Sequence, residues 1–256
     1  MKKSMLNLSG KVVLVTGGSQ GLGSIICKEL ALSGAKVILH YNSSDKKAEN
    51  LKKEIKGNIE IIKANLNKNK EIKKLIKRSI NFFGPINILI NCAAFGSKKV
   101  SEFSKISKEL WKKTQKINIQ APLILIQEFS KQKQAETVVN ISSIESLIPS
   151  KNHEYYSISK SALNMLTKSA AQEYGHLGIR INSISPGLLL RNNIQKDWPS
   201  GVKSWQDKSP MKKLVNPKDV ANTAIFLASD FSHSINGENI VVDLSLIHIS
   251  EPTRPY

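Results

Sequence analysis

The sequence predicts an α/β fold: one doubly wound parallel sheet of about seven strands, with helices on both faces, in a single domain. Three observations carry this reading. Short β-branched, apolar runs recur without polar alternation, as in strands buried on both faces. Helical patterns separate these runs from end to end, at the spacing of parallel β-α crossovers. The first run empties into a glycine-rich turn and then a helix, an arrangement that lets a backbone approach a diphosphate.

The elements follow in order. Residues 11–16 (KVVLVT) form the first strand, and the helical pattern after the glycines covers 22–33. Residues 36–41 (KVILHY) are extended, 45–56 helical and 59–64 extended again. A helix over 70–83 leads to a fourth strand at 86–91 (INILIN), and one long helix is expected from 108 to about 132. Residues 137–141 and 179–184 are strands around a helix at 156–174. A helix at 217–229, with Asp219 in its first turn, precedes a last strand at 239–242. Residues 188–213, with Trp198, Pro199, Gly201, Trp205 and Pro210, are the long irregular exception. A loop of that length in a packed domain serves more often as a lid than not, and Trp198 and Trp205 are candidates to close over a ligand. No internal repeat and no linker divides the chain, and 256 residues at 40% hydrophobic suffice for one large core.

The chain carries 38 Lys+Arg against 20 Asp+Glu, a formal net charge of +18. Only Arg78, Arg180, Arg191 and Arg254 are arginine. Base readout and bidentate phosphate contacts favour arginine, whereas lysine supplies point charge. The lysines scatter over the outer faces of segments whose other face is apolar, so a solvated surface is expected rather than a nucleic-acid site. Two cysteines, Cys27 and Cys92, cannot form a disulfide framework and point to a reducing compartment. No apolar run approaches the roughly 18 residues of a membrane span, and Met1-Lys2-Lys3 precedes no apolar signal region. A cytoplasmic protein without membrane contact is expected. His40, His153, His176 and His233 show neither ligand spacing nor a Cys/His cluster, so no metal site is expected.

Residues 244–256 (LSLIHISEPTRPY) resemble the conceptual translation of a transposase sequencing adaptor. The expected domain is therefore 1–243, and 244–256 are set aside as a non-native tail.

Candidate chemistry sits in three places. Thr16-Gly17-Gly18-Ser19-Gln20-Gly21-Leu22-Gly23 has the spacing Gly-x-x-x-Gly-x-Gly between a strand and a helix, suited to a pyrophosphate. About 20 residues on, His40-Tyr41-Asn42-Ser43-Ser44 contains no carboxylate; the first acid is Asp45. An acid there would repel a ribose 2′-phosphate, so its absence permits one, with Ser43 and Ser44 as donors. Tyr156-Ser157-Ile158-Ser159-Lys160 places a phenol and an ammonium one helical turn apart. The cation is expected to lower the phenol's pKa and fit it for proton transfer. Tyr155 has Ser159 at the same spacing and no cation.

Together the glycine spacing, Asn91-Cys92-Ala93-Ala94, Asn118, Ser143, Tyr156, Lys160 and Pro186-Gly187 resemble the short-chain dehydrogenase/reductase family, from about Leu8 to Asp243. Within it the chain is similar to the 3-oxoacyl-acyl-carrier-protein-reductase-like branch, including Pro217-Lys218-Asp219-Val220-Ala221 and Phe226-Leu227-Ala228-Ser229. The resemblance implies a Rossmann-type domain and hydride transfer between a nicotinamide and a carbonyl or alcohol, with NADP(H) preferred over NAD(H). It implies Tyr156 as the proton donor or acceptor, Lys160 lowering its pKa and holding the nicotinamide ribose, Ser143 on the substrate oxygen and Asn118 supporting a relay water. It implies cofactor contacts at Gly17, Ser19, Gln20, Gly21, Leu22, Gly23, Tyr41, Asn42, Ser43, Asn65, Leu66, Asn91, Ala93, Tyr156, Lys160, Pro186 and Gly187. Four departures stand out: Ala94 for a glycine, Asn65 for an acid, Arg191 for a threonine, and Asp243 without the Gly-Gly that follows it elsewhere.

The implied substrate is a small molecule or a 3-oxoacyl thioester, with sugars, steroids and pteridines as alternatives, and the implied assembly is a dimer or tetramer. A catalytically silent dinucleotide sensor is the rival of another class. Four intact catalytic positions argue against it.

Overall fold

The computed structural model describes residues 6–55, 57–96 and 102–244. Met1-Lys2-Lys3 and, beyond Leu244, the adaptor-like stretch lie outside the described residues. Among the described residues the strands are β1 (Val12–Thr16), β2 (Lys36–Tyr41), β3 (Ile59–Lys63), β4 (Ile88–Asn91), β5 (Thr137–Ile141), β6 (Arg180–Pro186) and β7 (Asn239–Val242). They form one sheet in the order 3-2-1-4-5-6-7, and every pairing is parallel.

The helices close both faces. α1 (Gly21–Leu32), α2 (Asp45–Ile55) and α3 (Asn69–Phe83) follow the first three strands. α4 (Lys108–Gln115) and α5 (Ala121–Phe129) link β4 to β5, and α6 (Glu154–Tyr174) links β5 to β6. α7 (Ile194–Asp197), α8 (Pro199–Lys208) and α9 (Pro217–Ala228) precede β7. Alternate strand residues enter opposite cores. Val13, Val15, Ile88 and Ile90 pack with Ile26 of α1, Leu51 of α2 and Val220 of α9. Val12, Leu14 and Leu89 pack with Ile72 of α3, Leu125 of α5 and Ala170 of α6. Burial of each such side chain contributes about 1.5–3 kcal/mol, which is why the strands read as unbroken apolar runs. The lysines of α3, Lys70, Lys73, Lys74 and Lys77, all face solvent.

Two expectations are corrected. The long helix over 108–132 is interrupted: a π-helical turn at Lys116–Gln120 separates α4 from α5, which stops at Phe129. Pro122 is the physical cause. It has no N–H to donate to the Asn118 carbonyl four residues back, and its ring crowds that carbonyl, so the ladder loosens ahead of it. The 188–213 stretch is not irregular either, since it contains α7 and α8. Pro199 opens α8, at the position where a missing N–H costs least. Trp205 of α8 is buried against Gly187, where a Cβ would lie 2.4 Å from the indole, and donates from Nε1 to the Lys213 carbonyl at 3.0 Å. It anchors the segment rather than flapping over a ligand. Trp198 is half exposed.

The apolar layers end at one level. Thr16, Asn91, Asn140 and Ser183 lie in register on β1, β4, β5 and β6, and past them the chain turns into loops. Beside this row the buried His40 ties three strand ends together. It accepts the Gly17 N–H on Nδ1 at 3.2 Å and donates from Nε2 to the Ala64 carbonyl at 3.0 Å. Burial pushes the imidazole down from 6.5 to about 4. The unfolded chain therefore takes this proton near pH 6.5 and the folded one only near pH 4, so stability is full above 6.5 and falls as pH drops through that window. Between pH 7 and 4, urea unfolding should show wild type losing about 3 kcal/mol more than His40→Gln.

Candidate active site

The strand order reverses between β1 and β4, the point at which doubly wound parallel sheets bind ligands beyond the carboxyl ends of their strands. The turn from β1 into α1 forms one wall. Gly17 has φ +68°, and a Cβ on it would lie 2.8 Å from Ala93 Cα. A Cβ on Gly23 would lie 2.3 Å from the Gly17 carbonyl oxygen, so the turn closes only without side chains at these positions. Ser19, Gln20, Gly21 and Leu22 complete it. Gln20 caps α1 without a side-chain bond, and the first turn holds no acid. The leading N–H groups of α1 are thus left to an outside acceptor, and this cradle fits the diphosphate of a dinucleotide.

The end of β2 forms the adjacent rim. Asn42 and Ser43 are exposed, while Tyr41 is buried and donates to Asp45 Oδ1 at 3.3 Å. Asp45 is also paired with Lys63 at 2.9 Å, and this bond holds its carboxyl below the usual range. Lys47 of α2 reaches back to Gln20 Oε1 at 2.7 Å. Sequence reading passed over Lys47 because lysines are everywhere in α2. Asn65 lies at the end of β3, where its Oδ1 accepts the Asn67 N–H and its own N–H goes to Glu71; the Leu66 side chain is core.

The β4 loop is held from beneath. Thr16 Oγ1 accepts the N–H of both Cys92 and Ala93 at 3.1 Å. Asn91 donates to Asn140 Oδ1 at 2.9 Å, and Asn140 donates in turn to Thr167 of α6. Asn91 Oδ1 is buried without a partner among the described residues. Past β6, the Gly187 N–H is held by the Val242 carbonyl, which fixes Pro186-Gly187 at the far wall, and Arg191 pairs with Asp197.

The four candidate catalytic residues come from three elements. Ser143 follows β5, Asn118 sits in the π-turn, and Tyr156 and Lys160 share one face of α6. Ser143 accepts the Glu145 N–H at 3.1 Å and lies close enough to the Tyr156 phenol to pull its pKa down. Lys160 is buried and donates from Nζ to the Ile141 carbonyl at 2.7 Å; its ammonium lies 5.5 Å from the centroid of the Tyr156 ring. The expected lowering of the phenol's pKa is not what this arrangement gives. Burial pushes the phenol up, and the Glu145 charge pushes it further, against a smaller downward pull from Ser143. Burial also pushes Lys160 down to about 8. The ammonium faces a carbonyl, not the phenol oxygen, which is why i,i+4 spacing alone misled. Asn118 bonds Phe95 through both ends of its amide and also donates to Ser159 Oγ at 2.9 Å, clamping the β4 loop to α6.

Sequence reading missed a further pair. His153, three residues before Tyr156, binds Glu145 Oε2 through Nδ1 at 2.8 Å, and its ring stacks on that of Tyr156 at 4.7 Å and 18°. Spacing offered no signal, because the contact is made by a loop folding back across eight residues. Cys92 is half-buried near Lys160, with its thiol pushed up to about 11 by burial.

Residues 17–244 match the family model described as enoyl-(acyl carrier protein) reductase. The chain is 33% identical to L-rhamnose-1-dehydrogenase of Scheffersomyces stipitis, over 92% of this chain and 95% of that protein. It is 31% identical to 3-oxoacyl-acyl-carrier-protein reductase of Staphylococcus epidermidis, over 91% and 97% respectively. The crystal structure of a dehydrogenase/reductase from Sinorhizobium meliloti 1021 superposes with a TM-score of 0.86 at 27% identity, covering 93% of this chain and 96% of that one.

The glycine turn yields a direct test. Gly23→Ala forces Gly17 and the α1 N-terminus apart. A saturating nicotinamide dinucleotide should raise the melting temperature of wild type and leave that of the variant unchanged, as followed by differential scanning fluorimetry.

Proposed function

This chain belongs to the short-chain dehydrogenase/reductase family and is an oxidoreductase acting on CH–OH and C=O groups, and from that premise we propose that it prefers NADP(H) and uses Tyr156 as its proton donor and acceptor. The observation that carries this reading is the Ser143–Tyr156–Lys160 cluster beside the uncapped start of α1.

A bound nicotinamide supplies or takes the hydride. Ser143, close to the phenol, holds the substrate oxygen beside it. Tyr156, kept protonated by burial, gives its proton to that oxygen as negative charge develops there. Lys160 carries its charge below about pH 8, 5.5 Å from the centroid of the ring that becomes the phenolate. Pro122 leaves the Asn118 carbonyl without its usual helical donor, which supports a water there to return the proton. Pro186 and Gly187 would hold the nicotinamide end.

Preference for NADP(H) is supported by the β2 rim. Its nearest acid, Asp45, is engaged by Lys63 and Tyr41, whereas Lys47 and Ser43 offer a cation and a hydroxyl to a 2′-phosphate. The substrate is a small carbonyl compound or an acyl thioester entering between the β4 loop and the α7–α8 segment. Half-exposed Trp111 and Leu123 on α4 and α5, with Ile158 and Met165 on α6, support a homo-oligomer. Two free cysteines fit a reducing cytoplasm.

Tyr156→Phe should lower kcat by about 10²–10⁴-fold on any carbonyl the protein reduces, read as NADPH oxidation, while NADPH binding persists. NADPH binding without turnover of a panel of thioesters, diketones, sugars and pterins would favour the silent sensor instead. Lys47→Glu should weaken NADPH binding about tenfold or more and leave NADH binding within about twofold, measured by nicotinamide fluorescence.

A further inference from the structure

We propose that His153, oriented by Glu145, is a substrate-binding residue that accepts a hydrogen bond from a hydroxyl group neighbouring the reacting carbonyl, so that the site selects hydroxylated, sugar-like carbonyl compounds over plain ketones and acyl thioesters. The inference rests on the hydride-transfer reading above and names the substrate class of that same site.

The imidazole is fixed on three sides. Glu145 Oε2 holds Nδ1 at 2.8 Å, the ring lies flat on Tyr156 at 4.7 Å, and its edge meets Tyr155 at 5.1 Å and 89°. Ser157 donates to the same Glu145 oxygen at 3.0 Å, which fixes the carboxylate in turn. A carboxylate only accepts, so the neutral ring carries its proton on Nδ1 and presents a lone pair at Nε2. That nitrogen faces the β4 loop where Gly96 leaves room. A Cβ on Gly96 would lie 3.7 Å from His153 Nε2 and 3.4 Å from Tyr156 Cδ2, so the acceptor and the catalytic ring border the same space. Nε2 has no hydrogen-bond partner among the described residues.

Helix capping does not account for His153. His153 occupies the N-cap of α6 and makes no side-chain capping bond there, where Ser, Thr, Asn or Asp would add about 1 kcal/mol. Glu145 brings a negative charge towards the phenol and opposes formation of the phenolate. A rigid acceptor bordering the same space as the Tyr156 ring offsets both losses. Chemistry then sets the class of ligand. A ketone and an acyl thioester present only acceptors near the reacting carbon and cannot satisfy a lone pair, whereas a vicinal hydroxyl donates to it.

The test is NADPH-linked reduction of 3-hydroxybutan-2-one and butan-2-one, which differ by one hydroxyl, with NADPH fluorescence confirming that each variant is folded. Wild type should favour the hydroxyketone in kcat/KM by about tenfold or more. His153→Phe keeps the ring stack and should lose at least about tenfold more on the hydroxyketone than on butan-2-one. Glu145→Ala should do the same. Glu145→Gln should retain the preference, because its amide oxygen still accepts from Nδ1. Absence of a preference in wild type, or equal losses on both ketones in His153→Phe, overturns the inference while Tyr156-dependent turnover stands. Turnover of neither ketone, or turnover that survives Tyr156→Phe, overturns the hydride-transfer reading and the inference with it.

Discussion

An ammonium ion buried at the carboxyl end of a parallel sheet is the constraint around which this site is arranged. Lys160 is 2% exposed, and a charge so placed must be bonded or lost. It is bonded to the Ile141 carbonyl, the last acceptor of β5, and lies within cation–π range of Tyr156. Ser142 adds a bond from its Oγ to the Lys160 carbonyl. These contacts press one turn of α6 onto the end of β5. Tyr156 sits one turn earlier on that helix and Ser143 two residues past that strand, so pinning Lys160 sets the spacing of the other two. The residual strain appears in Lys160 itself, whose proton is held less tightly than in water.

The other walls are held by polar groups that the apolar cores cannot organise. Thr16 gathers two amides of the β4 loop, His40 joins the glycine turn to the ends of β2 and β3, and Asn118 clips the loop to α6. Each is buried and engaged by two or more bonds, so losing any one strands partners in a dry environment at about 1–3 kcal/mol apiece. Helices buried against both faces leave the loops at the strand ends as the place where backbone N–H groups and side chains face solvent together. The row Thr16, Asn91, Asn140 and Ser183 marks that boundary within the sheet.

What the amino-acid order reveals depends on whether the signal is local. The strands were legible because burial on two faces demands consecutive Val and Ile, and β2, β5 and β7 fall at the expected residues. The glycine turn was legible because only glycine satisfies its close approaches. The π-turn was hidden because one Pro in a long amphipathic pattern changes composition very little, although Pro122 was the available clue. α7 and α8 were hidden by Trp198-Pro199, which reads as a breaker until the Pro is seen to open a helix. The Glu145–His153 pair and the upward pressure on Tyr156 were not local at all. Both arise when the loop after β5 folds across the start of α6, and no spacing rule encodes that.

That fold-back places the phenol between opposing charges, and the balance has a chemical consequence. Lys160 approaches the ring from the core side while Glu145 approaches from the loop, and burial weighs against ionisation in either case. The phenol is therefore a held acid before substrate arrives. A developing alkoxide is a far stronger base than a phenolate, so a high phenol pKa still permits proton transfer to it. The same high pKa prevents the phenol from releasing its proton to water beforehand. On the proposed role of Tyr156, proton donation is thus tied to the arrival of charge on the substrate oxygen. On that same role, ionising the phenol ahead of alcohol oxidation works against both burial and Glu145.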